Sequence, residues 1–394
     1  MKLSKRILSV APSATVALNT KAKALTDAGT PVMSFAVGEP DFATPKAITE
    51  VAIKSLQAGR TKYGAPGGGI PLRKAIQKKL KRDNDLDFEV HDIVAGVGSK
   101  EILFHTFLAL INDGDEILIP APYWVSYADQ IKAAGGVPVI LPLQKDPAGN
   151  LDPKFIEKYV TAKTTGVVLN FPNNPSGFVP SDEVMKKLGE FILEKKYWVI
   201  SDEIYEYLSF DKPHASLLKL VPQLKPNYIL INGLSKGFAM TGWRIGYGAG
   251  PKEVMTMVRN LQSHSSTSLP PFIEDAAQFA LEQGRPLVTD LIEQMKQRRN
   301  LAVQLLKEFN IPCLPPNGAF YVYLDLRSEI EQSSQFKSTS TMGFSEWLLE
   351  KYHIAAVPGE AFGTPGFLRL SYAVDENMLK KGIGLLAEAL KVIS

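Results

Sequence analysis

Cysteine is almost missing: Cys313 is alone in 394 residues. A single thiol excludes an internal disulfide framework and suits a reducing cytoplasm. Histidine is nearly as scarce. His91, His105, His214, His264 and His353 lie scattered, without the spacing of ligands, so no metal is expected. No apolar run approaches the ~20 residues of a membrane helix. The first ten residues carry basic side chains but few apolar ones, short of the roughly 7–15 that a secretory segment needs. Neither sign of charge dominates: 44 Lys and Arg face 41 Asp and Glu, for a net charge of +3. No case arises for a nucleic-acid or membrane partner. Repeats and low-complexity segments are missing too. These absences leave an ordinary globular protein, expected in the cytoplasm.

What is present is an α/β pattern of ordinary composition, 45% apolar and 22% charged. The length exceeds one small core, so one large and one small domain are expected. Tyr228-Ile-Leu-Ile231 reads as a buried strand of a parallel sheet. Beyond it comes Asn232-Gly-Leu-Ser-Lys-Gly-Phe-Ala-Met-Thr-Gly-Trp-Arg244. A lysine just past such a strand end sits where open α/β sheets place their ligands. Gly237 and Gly242 let the backbone approach something bulky. Arg244 is a planar cation suited to gripping a phosphate. The plainer alternative is a loop with one solvated lysine.

Other segments carry candidates of their own. Residues 13–28 read as a helix that Gly29-Thr-Pro31 ends. A short strand then enters a Gly-Glu-Pro turn at Gly38. Lys62-Tyr-Gly-Ala-Pro-Gly-Gly-Gly-Ile-Pro-Leu-Arg73 is a loop feeding a basic helix, with Pro71 in the first turn. Its glycines lack P-loop spacing. Residues 92–98 read as a strand and 99–111 as a buried helix. Gly98, Ser99 and Lys100 stand at that helix start, where free N–H groups and the dipole favour a phosphate. A plain N-cap at Ser99 is compatible with this. Trp124 follows the strand at 116–119 and offers a rigid face for stacking, or simply a core position; 137–141 is a further strand. The strand at 165–170 ends in a turn around Asn174. The next, 197–202, delivers Asp202 at its end with Tyr205 three residues on. A buried acid there is rarely inert. The strand at 245–249 closes the large domain, and 288–309 reads as a long amphipathic helix crossing to a second domain. That domain has strands at 319–326 and 366–372 and a final helix with Leu379, Ile383, Leu386 and Leu390 on one stripe. Arg369 lies mid-strand among apolar neighbours, either for a ligand or in a structural ion pair.

In this order, and over nearly the whole chain, these segments resemble the fold-type I pyridoxal-phosphate enzymes of the aminotransferase class I/II family. The resemblance implies a large, mostly parallel-sheet α/β/α domain over 45–287. A smaller α+β domain would form from 1–44 and 288–394. It implies pyridoxal 5'-phosphate as cofactor, carried by Lys236. Gly98, Ser99, Lys100, Ser235 and Arg244 would surround its phosphate, and Trp124 would stack on its ring. Asn174 and Tyr205 would meet the ring oxygen, while Asp202 keeps the pyridine nitrogen protonated. Gly38, Trp124, Asn174 and Arg369 would hold the substrate, Arg369 as a fork on its α-carboxylate. Tyr63 would reach the neighbouring active site of a homodimer. The implied reaction is ping-pong amino transfer between amino acids and 2-oxo acids, with Lys236 as general acid and base.

Ala11-Pro-Ser-Ala-Thr-Val-Ala-Leu-Asn19 and the stretch after Lys236 resemble the bacterial subgroup Ib aspartate aminotransferases. That implies aspartate and 2-oxoglutarate, with Ser13, Thr15 and Lys100 on the distal carboxylate. Two positions depart from the pattern. Relatives that use prephenate have a basic residue where Ala11 stands, which argues against prephenate. Many relatives have a serine at Gly233, so that phosphate hydrogen bond is either missing here or taken over by Ser235. Aromatic specificity, lyases on the same fold and a non-enzymatic regulator are the alternatives. The last would place a DNA-binding domain ahead of this fold, whereas here the fold begins at once.

Overall fold

In a computed structural model, residues 3–11, 14–336 and 340–393 are described. The main sheet has seven strands: β2 (Ile93–Val97), β3 (Glu116–Pro120), β4 (Val137–Leu141), β5 (Thr164–Asn170), β6 (Trp198–Asp202), β7 (Tyr228–Gly233) and β8 (Ile245–Ala249). A short β1 (Met33–Ser34) precedes them. The order across the sheet is β2-β8-β7-β6-β5-β3-β4. Every pairing is parallel except those of β8, which runs antiparallel to both β2 and β7. The last of these seven strands in chain order is therefore an interior one.

Side-chain alternation builds two cores. Val168, Ile200, Ile229 and Ile231 point to one face, where they meet Ile102, Phe107, Met255 and Val258. Their chain neighbours Val167, Leu169, Val199 and Leu230 point to the other, against Leu72, Ile76, Leu188 and Ile192. Period-2 alternation with helices on both faces explains why these strands read as unbroken apolar runs.

A second sheet has the order β11-β12-β9, made from β9 (Tyr321–Asp325), β11 (Val357–Pro358) and β12 (Phe367–Ser371). β10 (Ile354–Ala355) pairs in parallel with β1, tying the start of the chain to its end. The helix over Thr289–Glu308 begins after a short turn, Arg285–Val288. β9 starts two residues later than the apolar pattern predicts. Ala319 adopts a left-handed φ of 56°, which strands exclude, and its N–H binds Leu208 O. The final helix, Glu376–Ile393, buries Leu379, Ile383, Leu386 and Leu390 as its stripe predicts. Among the described residues no helix is long and apolar enough to cross a membrane.

Candidate active site

The C-terminal ends of five parallel strands converge on one cleft of about 290 Å³. β2 leads to Ser99 and Lys100, β3 to Trp124, β5 to Asn174, β6 to Asp202 and Tyr205, and β7 to Ser235 and Lys236. All of them line the cleft. Arg244 reaches the same edge by the opposite route. It precedes β8, whose start lies level with the end of β2 because Val97 pairs with Ile245. Gly38 and Thr15 complete the wall from the N-terminal segment, and Arg369 does so from β12.

Two expected residues behave differently. Tyr63 is 89% exposed and does not line the cleft of its own chain. Ser13 lies outside the described residues. Gly98 touches the site indirectly. Its φ is +78°, and a Cβ there would lie 2.5 Å from Arg244 Nη2, so only glycine lets the guanidinium come this close.

The anion end is built from backbone and Arg244. The Ser99–Leu110 helix starts at Gly98 with no side chain capping it. Its N-terminal N–H groups and positive dipole end face the cleft beside a guanidinium. Ser99 Oγ donates to Asn232 O at 2.7 Å. A Cβ on Gly233 would lie 2.6 Å from that hydroxyl, so Ser99 already fills the place a serine at 233 would need.

Asp202 is 6% exposed. Its Oδ2 accepts a hydrogen bond from Tyr127 Oη at 2.7 Å, and its Oδ1 one from Ile204 N at 3.3 Å. Burial pushes its pKa up to about 6, and the Tyr127 bond works against this. Lys236 Nζ donates to Gly38 O. Burial pushes its pKa down to about 8; Glu39 opposes this, and Arg369 and Arg244 add to it. The amine is thereby close to balanced between base and acid near neutral pH.

Arg369 is 3% exposed yet forms no ion pair with any described carboxylate. Nη1 donates to Asn174 Oδ1 at 3.0 Å and Nη2 to Ala36 O at 2.8 Å. Its Nε is buried without a partner among the described residues. The guanidinium carbon lies 4.5 Å from the Tyr321 ring centroid and 5.1 Å from that of Phe362. The structural ion pair is thus ruled out within the described residues, and a buried cation is left poised for an anion.

Some cleft residues escape a reading of the sequence alone. Tyr127, Asn170, Tyr321 and Asn19 line the cleft as well. Asn170 Nδ2 donates to Asp202 O, and its Oδ1 accepts from Asn174 N, both at 2.9 Å. Tyr205 Oη bonds Tyr321 Oη at 3.1 Å. A signal that could have found Tyr127 is its place one helical turn beyond Trp124.

The cleft holds an amine of lowered pKa, a buried acid without a cation, an aromatic face and an uncapped helix start beside Arg244. These fit the aldehyde, pyridine nitrogen, ring and phosphate of pyridoxal phosphate, and define a fold-type I enzyme of that cofactor. The model of the aminotransferase class I and II family matches residues 30–386. A probable aspartate/prephenate aminotransferase of Aquifex aeolicus is 40% identical over 99% of both chains. The aspartate aminotransferase of Geobacillus stearothermophilus is 40% identical over 97% of each. The structure of the Rhizobium meliloti aspartate aminotransferase superposes with a TM-score of 0.94 at 34% identity, covering all of both chains. That of the Thermus thermophilus enzyme with maleate gives 0.91 at 35%, covering 99% of this chain and 100% of its own. The chain belongs to the aminotransferase class I and II family: it is a pyridoxal-phosphate-dependent aminotransferase acting on small molecules.

Proposed function

We propose that the amino donor is aspartate and the acceptor 2-oxoglutarate, giving oxaloacetate and glutamate. The observation that carries this is the charge of the cleft. Lys100, Lys236, Arg244 and Arg369 line it against one acid, Asp202. Arg244 and the helix start answer to a phosphate, and Arg369 to an α-carboxylate. Lys100 is left over. It lies over the Trp124 ring, 4.8 Å from the centroid. Burial and the nearby Arg244 push its pKa down. A third anion in the cleft would relieve that repulsion, and the distal carboxylate of a dicarboxylic substrate is such an anion. The Thermus relative with maleate, itself a dicarboxylate, supports this reading.

The residues take distinct parts. Bound here, pyridoxal phosphate supplies an electron sink and carries the amino group between substrates. Lys236 holds it and later moves the proton at the substrate Cα. Asp202, steadied by Tyr127 and Ile204, holds a proton at the pyridine nitrogen. Asn174 and Tyr205 fix the ring oxygen, and Trp124 covers the ring face. Arg369 and the Gly38 backbone orient the substrate carboxylate, with Thr15 and Lys100 at its far end. A division into 45–287 and 1–44 plus 288–394 would set the cleft between the two parts. A homodimer would bring Tyr63 to the partner's phosphate site. Prephenate is named for the Aquifex relative. Ala11 here is uncharged, exposed and outside the cleft lining, which speaks against prephenate.

Replacing Lys100 with alanine tests the specificity. kcat/KM for aspartate should fall about 10–100-fold, as for loss of a charge-assisted bond. Uncharged aromatic donors should change far less. Equal losses for both would remove Lys100 from substrate recognition.

A further inference from the structure

We propose that Asn19 is a specificity-determining residue, whose side-chain amide donates to the distal carboxylate of a dicarboxylic substrate. This rests on the reading of the cleft as a dicarboxylate site. Asn19 lies in the helix Ala14–Asp27, one turn beyond Thr15, and both line the cleft. The other side of that helix is anchored. Leu18 and Ala22 are buried with Tyr323, Val357, Phe362 and Phe367, and Leu25 packs against them. This packing fixes the helix rotation and keeps Asn19 turned to the cleft.

The amide makes no hydrogen bond with the described residues, and its Oδ1 is buried. Buried polar atoms left unpaired are costly, and where they persist in a cleft a ligand is the natural partner. The amide presents an acceptor at one end and two donors at the other, and rotation about its last bond exchanges them. Opposite a carboxylate, the donor end turns inward. A neutral donor suits this place for an electrostatic reason. Four cations already line the cleft, and another charge would depress Lys100 and Lys236 further. Asn19 therefore adds selectivity for the distal group without adding charge.

The test uses the cofactor-loaded enzyme and two unreactive acids. Succinate is aspartate without its amino group, and butyrate has the same carbon count with one carboxylate. Binding is read from bound-cofactor absorbance and from tryptophan fluorescence, since Trp124 lines the cleft. Wild type should prefer succinate by at least about tenfold. Asn19→Ala should lose about tenfold in succinate affinity, with butyrate within about twofold. Asn19→Asp, nearly isosteric, should lose about 100-fold for succinate by repulsion, and it serves if alanine perturbs the helix. Unchanged succinate binding in both variants, or equal loss for both acids, would overturn the role of Asn19 alone. A wild type that does not distinguish the two acids would overturn the dicarboxylate reading itself, and this proposal with it.

Discussion

At the scale of single residues, the cleft is a set of groups held away from their ordinary protonation. Lys236 is pushed down to about 8 by burial. Between about 8 and its ordinary 10.5 the unfolded chain binds a proton that the folded one does not. In that window the cofactor-free protein gains stability as pH rises. Asp202 is pushed up to about 6. Between about 4 and 6 the fold keeps a proton the unfolded chain loses, so stability falls as pH rises there. The neutral amine is the form that attacks an aldehyde. The rate at which cofactor-free protein takes up pyridoxal phosphate, read by absorbance, should therefore rise with pH and level off above about 8. A rate that stays flat from pH 6 to 10 would contradict the lowered value. Lys236, Asp202 and Arg369 were legible because each is an ionisable residue at a strand end or within a strand. Tyr127, Asn170 and Tyr321 were not. Their parts depend on partners 75, 32 and 116 residues away, on Asp202 for the first two and on Tyr205 for Tyr321.

At the scale of elements, the phosphate end depends on two chain segments meeting closely. Gly98 ends one, and Arg244, in a left-handed conformation with φ of 55°, ends the other. A Cβ on Gly246 would lie 2.1 Å from Ser99 N, so β8 and the helix start touch through glycine. Gly98→Ala should strain the backbone and push the guanidinium away. Cofactor affinity, measured by equilibrium dialysis, should fall at least about tenfold, with far-UV circular dichroism retained. Unaltered affinity would mean the helix start does not face the phosphate. The strands themselves were legible from their apolar runs. The direction of β8 was not, since a five-residue run of apolar residues and glycine reads alike either way. Its antiparallel course is what carries Arg244 to the cleft.

At the scale of the whole molecule, the two ends of the chain share structure. β1 pairs with β10, and the N-terminal helix that carries Thr15 and Asn19 packs beside residues after 320. The family resemblance implied such a union, and the pairing register shows where the ends meet. Tyr63 protrudes, and Ile53, Leu56 and Ile70 are also exposed. The homodimer reading predicts a sedimentation mass twice the 43.2 kDa of one chain. Mixing Tyr63→Ala with Lys236→Ala subunits should regain activity. In a mixed dimer, the Lys236→Ala chain lends its tyrosine to the other chain's intact lysine. A monomer, or mixtures that stay at the level of the weaker parent, would contradict this.

The most direct measurement is a half-reaction. Purified, cofactor-loaded enzyme is mixed with aspartate in the absence of any 2-oxo acid. Absorbance of the bound cofactor and the released products are followed together. Aspartate amino transfer predicts complete loss of the aldehyde-form band with one oxaloacetate per active site, and its return when 2-oxoglutarate is added. Release of ammonia and pyruvate, or a band that aspartate leaves unchanged, would contradict it.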